Sequence, residues 1–308
     1  MCEPGPAPRL TLGETHMDSG RVIVGIDGSA PSRAALRWAT LDASRRGTTL
    51  SVLSAYTGVI FGIRPIVSPE LERAQRKQAE RTVQEALANA REVGPELAID
   101  GRPVLGDPAG VLLDASHSAS CLVVGGHGRG RLAGLLAGSV SQQVALHARC
   151  PVAIVRGRSD AADGPVVVGV DGSASSHLAV DLAFEQAAAR GCAVTIVFAY
   201  EGPFTGLGAE AAAPFFDDEQ LRADVERDFS QAVARWRDQH RAVQVDQTLA
   251  TGQAGSILVD LSHEAQLVVV GSRGRGGFAG LLLGSVGMHL LHQADCPVLI
   301  AHGGRDGS

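Results

Sequence analysis

Gly125, Gly128 and the pair Gly138-Ser139 recur at the same spacing as Gly271, Gly274 and Gly284-Ser285. Each set follows an apolar run, Cys121-Leu-Val-Val124 or Leu267-Val-Val-Val270, and leads into a helical pattern. A strand that breaks into glycines and then opens a helix turns backbone N–H groups toward an anion, and the unpaired amides of the helix start add positive potential. Arg129 and Arg131, with Arg273 and Arg275, put cationic side chains beside these segments and favour a polyphosphate. Asp27 and Asp171 each stand where another apolar run meets Gly-Ser. Alone, such an Asp reads as an Asx-turn or a helix cap. Opposite a phosphate loop it reads as an acceptor for ribose hydroxyls or an adenine amino group, because phosphate itself would be repelled. Ser139 fits as the N-cap of a helix, with Gln142 completing a capping box. Its hydroxyl serves the helix, a phosphate oxygen, or each in turn. Ser285 has Met288 at the Gln position, which frees its hydroxyl for ligand. His127 reads as an outward-pointing loop residue. His289 and His292 have a spacing that can hold metal, but no third ligand accompanies them.

The elements that must position these residues alternate. Val22–Ile26 reads as a buried strand, Ser32–Arg46 as an amphipathic helix and Leu50–Ala55 as a second strand. Ser68-Pro69-Glu70 supplies an N-cap, a first-turn proline and an acidic residue for a long helix reaching about Val93. A strand near Ile99–Val104 passes through Gly106-Asp107-Pro108 into a third helix. The glycine strand, a helix over Ser139–Ala148 and a strand over Val152–Val155 follow. The whole series then repeats. Arg21 to Ala30 matches Pro165 to Ala174, Arg46-Gly47 recurs as Arg190-Gly191, Gly106 as Gly252 and Cys150-Pro151 as Cys296-Pro297. Asp217-x-x-Gln220 opens the second long helix with a capping-box-like spacing. The offset grows from 144 to 146 residues, which places a two-residue slip after the second strand. A period this long marks duplicated domains rather than a solenoid.

Each half is therefore expected to be a doubly wound α/β domain with a five-stranded parallel sheet in the order 3-2-1-4-5. In that order strands one and four are neighbours whose connections diverge, and ligands of open α/β sheets bind in the crevice so formed. Asp27 and Gly125 converge there. The expected boundaries are a flexible tail at 1–20, domains at 21–156 and 165–303, and a linker at 157–164.

At 308 residues, 45% hydrophobic and 19% charged, the chain has the make-up of two globular domains. A net charge of −6 and 4% aromatics disfavour nucleic-acid binding, which draws on cationic surface and stacking rings. Five scattered cysteines without a CxxC read as reduced residues of a cytoplasmic protein. No segment has the roughly 18–20 apolar residues of a membrane span.

Both repeats resemble the universal stress protein family. The resemblance lies in the Val-Gly-Ile/Val-Asp-Gly-Ser opening, the turn at Gly106-Asp107-Pro108, the double-glycine loop ending in Gly-Ser and the Cys-Pro-Val before the fifth strand. It covers about 21–156 and 165–301 and implies a Rossmann-like fold of the adenine nucleotide alpha hydrolase type. The intact loops match the ATP-binding branch, which implies one ATP per half with Mg2+ as a phosphate counter-ion. By position, Asp27 and Asp171 would meet the nucleoside, and Gly106 and Gly252 would approach its adenine and ribose side. Gly125, Gly128, Gly138 and Ser139 would hold phosphate, as would Gly271, Gly274, Gly284 and Ser285. Arg129 and Arg275 would flank it, and Val140 and Val286 would close the pocket. In the second half Gly287 stands where the first has Ser141, and Gly252-Gln253-Ala254 replaces the Gly-Asp-Pro form. The resemblance also implies an internal pseudo-dimer joined through the fifth strands, with a homodimer and an unknown regulatory protein as further partners. A nucleotide-responsive regulatory module is the leading function, and a slow ATPase using the same sites is the alternative.

Overall fold

The computed structural model describes residues 20–60, 66–126, 138–200, 218–275 and 283–303. Its first strand, β1 (Val22–Gly25), sends Val22 and Val24 into one core and Ile23 into the other. Side chains alternate across a strand, so an unbroken β-branched run belongs where both sheet faces are covered. Helix α1 (Ala30–Arg46) begins two residues before the expected Ser32, because Ser29 caps it and Pro31 fits its first turn. Gly47 ends it in the left-handed conformation (φ 62°). Strand β2 (Leu50–Tyr56) follows, then a two-residue antiparallel pair, β3 (Val59–Ile60) and β4 (Ile66–Val67), too short to show a period. Ser68 caps α2 (Pro69–Val93) as its sequence implies. Next come β5 (Ile99–Leu105), α3 (Pro108–Ala115), β6 (Cys121–Gly125), α4 (Ser139–His147) and β7 (Val152–Val155).

The second half repeats the plan. It contains β8 (Val166–Val170), α5 (Ala174–Arg190), β9 (Val194–Tyr200), α6 (Asp218–Gln239), β10 (Val245–Thr251), α7 (Ala254–Ser262), β11 (Leu267–Gly271), α8 (Ser285–Gln293) and β12 (Val298–Ala301). Asp217, expected to open α6, lies outside the described residues.

The sheet runs β10-β9-β8-β11-β12-β7-β6-β1-β2-β5. Each half shows the 3-2-1-4-5 order, parallel throughout, and the halves meet where β12 pairs antiparallel with β7. Ala153 faces Leu299 across that seam, and both are buried. The short fifth strands thus cover one another's edges. Above the seam α1 and α5 carry a buried charge cluster. Asp42 accepts ion pairs from Arg46 (3.5 Å) and from Arg190 of the other half (3.6 Å), and the Arg190 guanidinium lies 5.4 Å from the Trp38 ring.

Candidate functional site

Because β1 and β6 are parallel neighbours, Asp27 and Gly125 are brought to the same carboxyl end of the sheet. A cavity of about 530 Å3 opens there, with Asp27, Gly125, Gly138, Ser139 and Val140 in its wall. Between β8 and β11 the second half has a cavity of about 310 Å3 bounded by Asp171, Gly271, Gly274, Gly284, Ser285 and Val286. Both volumes lie in the range of small-molecule pockets, roughly 300–1,000 Å3.

The starts of α4 and α8 form one side of each cavity. Ser29, Ser68, Asp107 and Ser173 each accept a hydrogen bond from the first turn of the helix they cap, but no side chain caps α4 or α8. Here the structure corrects the expectation for Ser139. Gly138 is the N-cap, Ser139 is the first helical residue, and Gln142 donates its backbone N–H to the Gly138 carbonyl instead of completing a capping box. The entry is tied down by Ser141, whose Oγ donates to the carbonyls of Gly138 (2.9 Å) and Gly126 (3.2 Å). Ser285 likewise follows the N-cap, Gly284. Uncapped first-turn amides carry the positive end of the helix dipole into the cleft.

The glycines serve different ends. A Cβ on Gly125 would lie 2.7 Å from the Pro31 backbone, and one on Gly271 would lie 2.8 Å from that of Ser175. These two let the first helix of each half pack against the strand end. Gly284 has an unstrained backbone (φ −71°), and an added Cβ would make ordinary van der Waals contact with the backbone of Gly274 (3.7 Å), Arg273 and Ser272 (both 3.8 Å). Nothing among the described residues requires glycine there. Gly138 has the same dihedral, φ −71°.

Both aspartates make the local turn that Asp-Gly-Ser implies. Asp27 Oδ1 accepts the Ser29 N–H at 2.9 Å, and Asp171 Oδ1 accepts that of Ser173 at 2.9 Å. Asp171 also reaches across the crevice, where its Oδ2 accepts the Arg275 N–H at 2.8 Å. Burial alone would raise its pKa. Hydrogen bonds from the Ser173 hydroxyl and amide, the Arg275 amide and Ser176 outweigh burial and hold the carboxylate below its usual range. Arg273 lines the same cleft, and its carbonyl accepts from the Ser175 hydroxyl.

Other expected residues are placed differently. Gly106 and Gly252 do not line the cavities. They take positive φ (151° and 133°) in the turns before α3 and α7, which bring Pro108 and Ala254 to the walls instead. Gly128, Arg129, Arg131 and His127 lie outside the described residues. His289 packs against Gly255, and His292 sits in the last turn of α8. Sequence reasoning missed the far wall of the first cleft, formed by Tyr56 and by Gln75, Gln78 and Thr82 of α2. Their i, i+3, i+7 spacing puts a polar stripe on one helical face, and that was the available signal.

The duplicated fold agrees with the comparisons to known proteins. The model of the universal stress protein family matches residues 19–156 and again 164–302. A universal stress protein of Mycobacterium tuberculosis is 34% identical over 288 residues, covering 91% of this chain and 96% of the relative. A second from the same organism is 34% identical over 290 residues, covering 91% and 95%. In fold, a universal stress protein from Archaeoglobus fulgidus matches with a TM-score of 0.67 at 20% identity, over 94% of this chain and 98% of that one. With both halves matched and the pairing of their sheets in view, the chain belongs to the universal stress protein family.

Proposed function

We propose that this protein is a cytosolic regulatory module that binds one ATP in each half and changes its partners with nucleotide occupancy. The observation that carries the reading is the helix start without a side-chain cap at Gly284, which borders the second cavity together with an ionised Asp171. Such a start offers several N–H donors to a phosphate tail. A carboxylate would repel that tail, so Asp171 and Asp27 belong at the nucleoside end. Asp171 already accepts from Ser173, Ser176 and the Arg275 amide within the chain, so a ribose hydroxyl would take the place of one of the serine hydroxyls at the carboxylate. ATP would bring Mg2+ as the counter-ion of its own phosphates.

The test is nucleotide content and turnover. Purified protein should take up close to two ATP per chain and release little phosphate. The double variant Gly138→Val, Gly284→Val should lose that uptake while melting within a few degrees of the parent, since both positions have dihedrals that valine adopts. Uptake that survives in the double variant overturns the assignment. Phosphate release at about 1 s−1 or faster would instead make the protein an enzyme.

A further inference from the structure

α4 and α8 have nine residues each, and the last carbonyls of a helix need partners from outside it. In both helices a partner comes from the other half. Arg156, directly after β7, donates from Nη1 to the carbonyls of Leu290 (3.0 Å) and Leu291 (2.5 Å), and from Nη2 to that of His292 (2.9 Å). His302, directly after β12, occupies the equivalent place and bonds the Ala145 carbonyl of α4. The antiparallel β7–β12 pairing carries both strand ends past the seam.

The two caps differ in strength. A guanidinium opposes the negative end of the helix dipole, and three acceptors offset part of the cost of burying it, although its Nε has no partner among the described residues. His302 has one such bond, and its Nε2 is buried without a partner among the described residues. Burial, aided by the charge of Arg273, pushes its pKa down to about 4, so the ring is neutral at pH 7.

We propose that Arg156 is a positioning residue for the opposite cleft: by holding the end of α8 it fixes the uncapped first turn at 285–287, so ligand affinity in the second half depends on a residue of the first. A nine-residue helix is about 14 Å long and unstable by itself, so loosening one end loosens the other. The proposal rests on the ATP reading of the clefts.

The test measures ATP binding by equilibrium dialysis in two backgrounds, Gly138→Val to leave only the second cleft and Gly284→Val to leave only the first. Arg156→Met should weaken the second cleft by about five- to tenfold and leave the first within about twofold. Arg156→Lys, which keeps the charge with a single donor group, should recover part of the loss. Hydrogen exchange without nucleotide supplies an independent arm. Arg156→Met should speed exchange at Met288, the first bonded amide of α8, as well as at Ala294 beyond its last turn. Equal weakening of both clefts, no weakening of the second, or exchange altered at Ala294 alone overturns the proposal. If the parent protein takes up no ATP, the functional reading falls, and the exchange result alone decides whether the cap controls the helix start.

Discussion

Asp171 performs two tasks with one carboxylate, closing the turn before α5 and clasping the segment after β11. The first was legible from Asp-Gly-Ser. The second was not, because Arg275 lies far along the chain and becomes a neighbour only when β8 and β11 pair. Ser139 shows a different limit. One residue separates an N-cap from a first helical position, and a glycine with extended dihedrals can take the cap without any side-chain signal. The clasp has a pH signature. The native carboxyl titrates below the unfolded one, so its contribution is complete above the unfolded value near pH 4 and is lost as pH falls through the lowered native value. Asp171→Asn should destabilise the protein by about 1 kcal/mol at pH 7. That gap should close at an acid pH below the lowered native value, where the native side chain is itself uncharged. Urea unfolding at the two pH values measures it, and an equal gap at each would refute the clasp.

Among the elements, those with a chemical punctuation mark were readable. Ser68-Pro69 starts α2, and Arg46-Gly47 and Arg190-Gly191 stop α1 and α5 at left-handed glycines. The cleft face of α2 was obscured because Gln75, Gln78 and Thr82 look like ordinary solvated positions until the turn after β1 is brought beneath them. The fifth strands have only four residues each, and their pairing depends on packing rather than length. Leu299 is 1% exposed, faces Ala153 in register and packs in the larger core cluster. Leu299→Ala should therefore cost about 2–4 kcal/mol, read as a lower urea midpoint with an unchanged slope. A cost under about 1 kcal/mol would show that the seam repacks freely.

For the molecule as a whole, duplication was visible in the sequence and the family resemblance implied the joined fifth strands, but the charge cluster between α1 and α5 was not legible. The Asp42 position in the second half is Gln186, so its repeat does not announce that the carboxylate accepts arginines from both sides. Asp42 is 1% exposed and the Arg190 side chain 4%, so removing one partner strands the other charge away from water. Asp42→Ala should cost about 3–5 kcal/mol and should split a single calorimetric transition into two as the halves uncouple. One unsplit transition near the parent temperature would show that the cluster does not join them.

The seam between β7 and β12 has a consequence for how the assembly answers to abundance. Two separate chains meeting along such strands would dissociate when scarce, by mass action. Here the mate is tethered through a short connection, so its local concentration is set by geometry and not by expression. Dilution cannot part the halves. One outer margin carries residues that discourage further strand addition, since β5 holds Asp100, Arg102 and Pro103. The two halves of the sheet are therefore joined within one polypeptide, at the first molecule made.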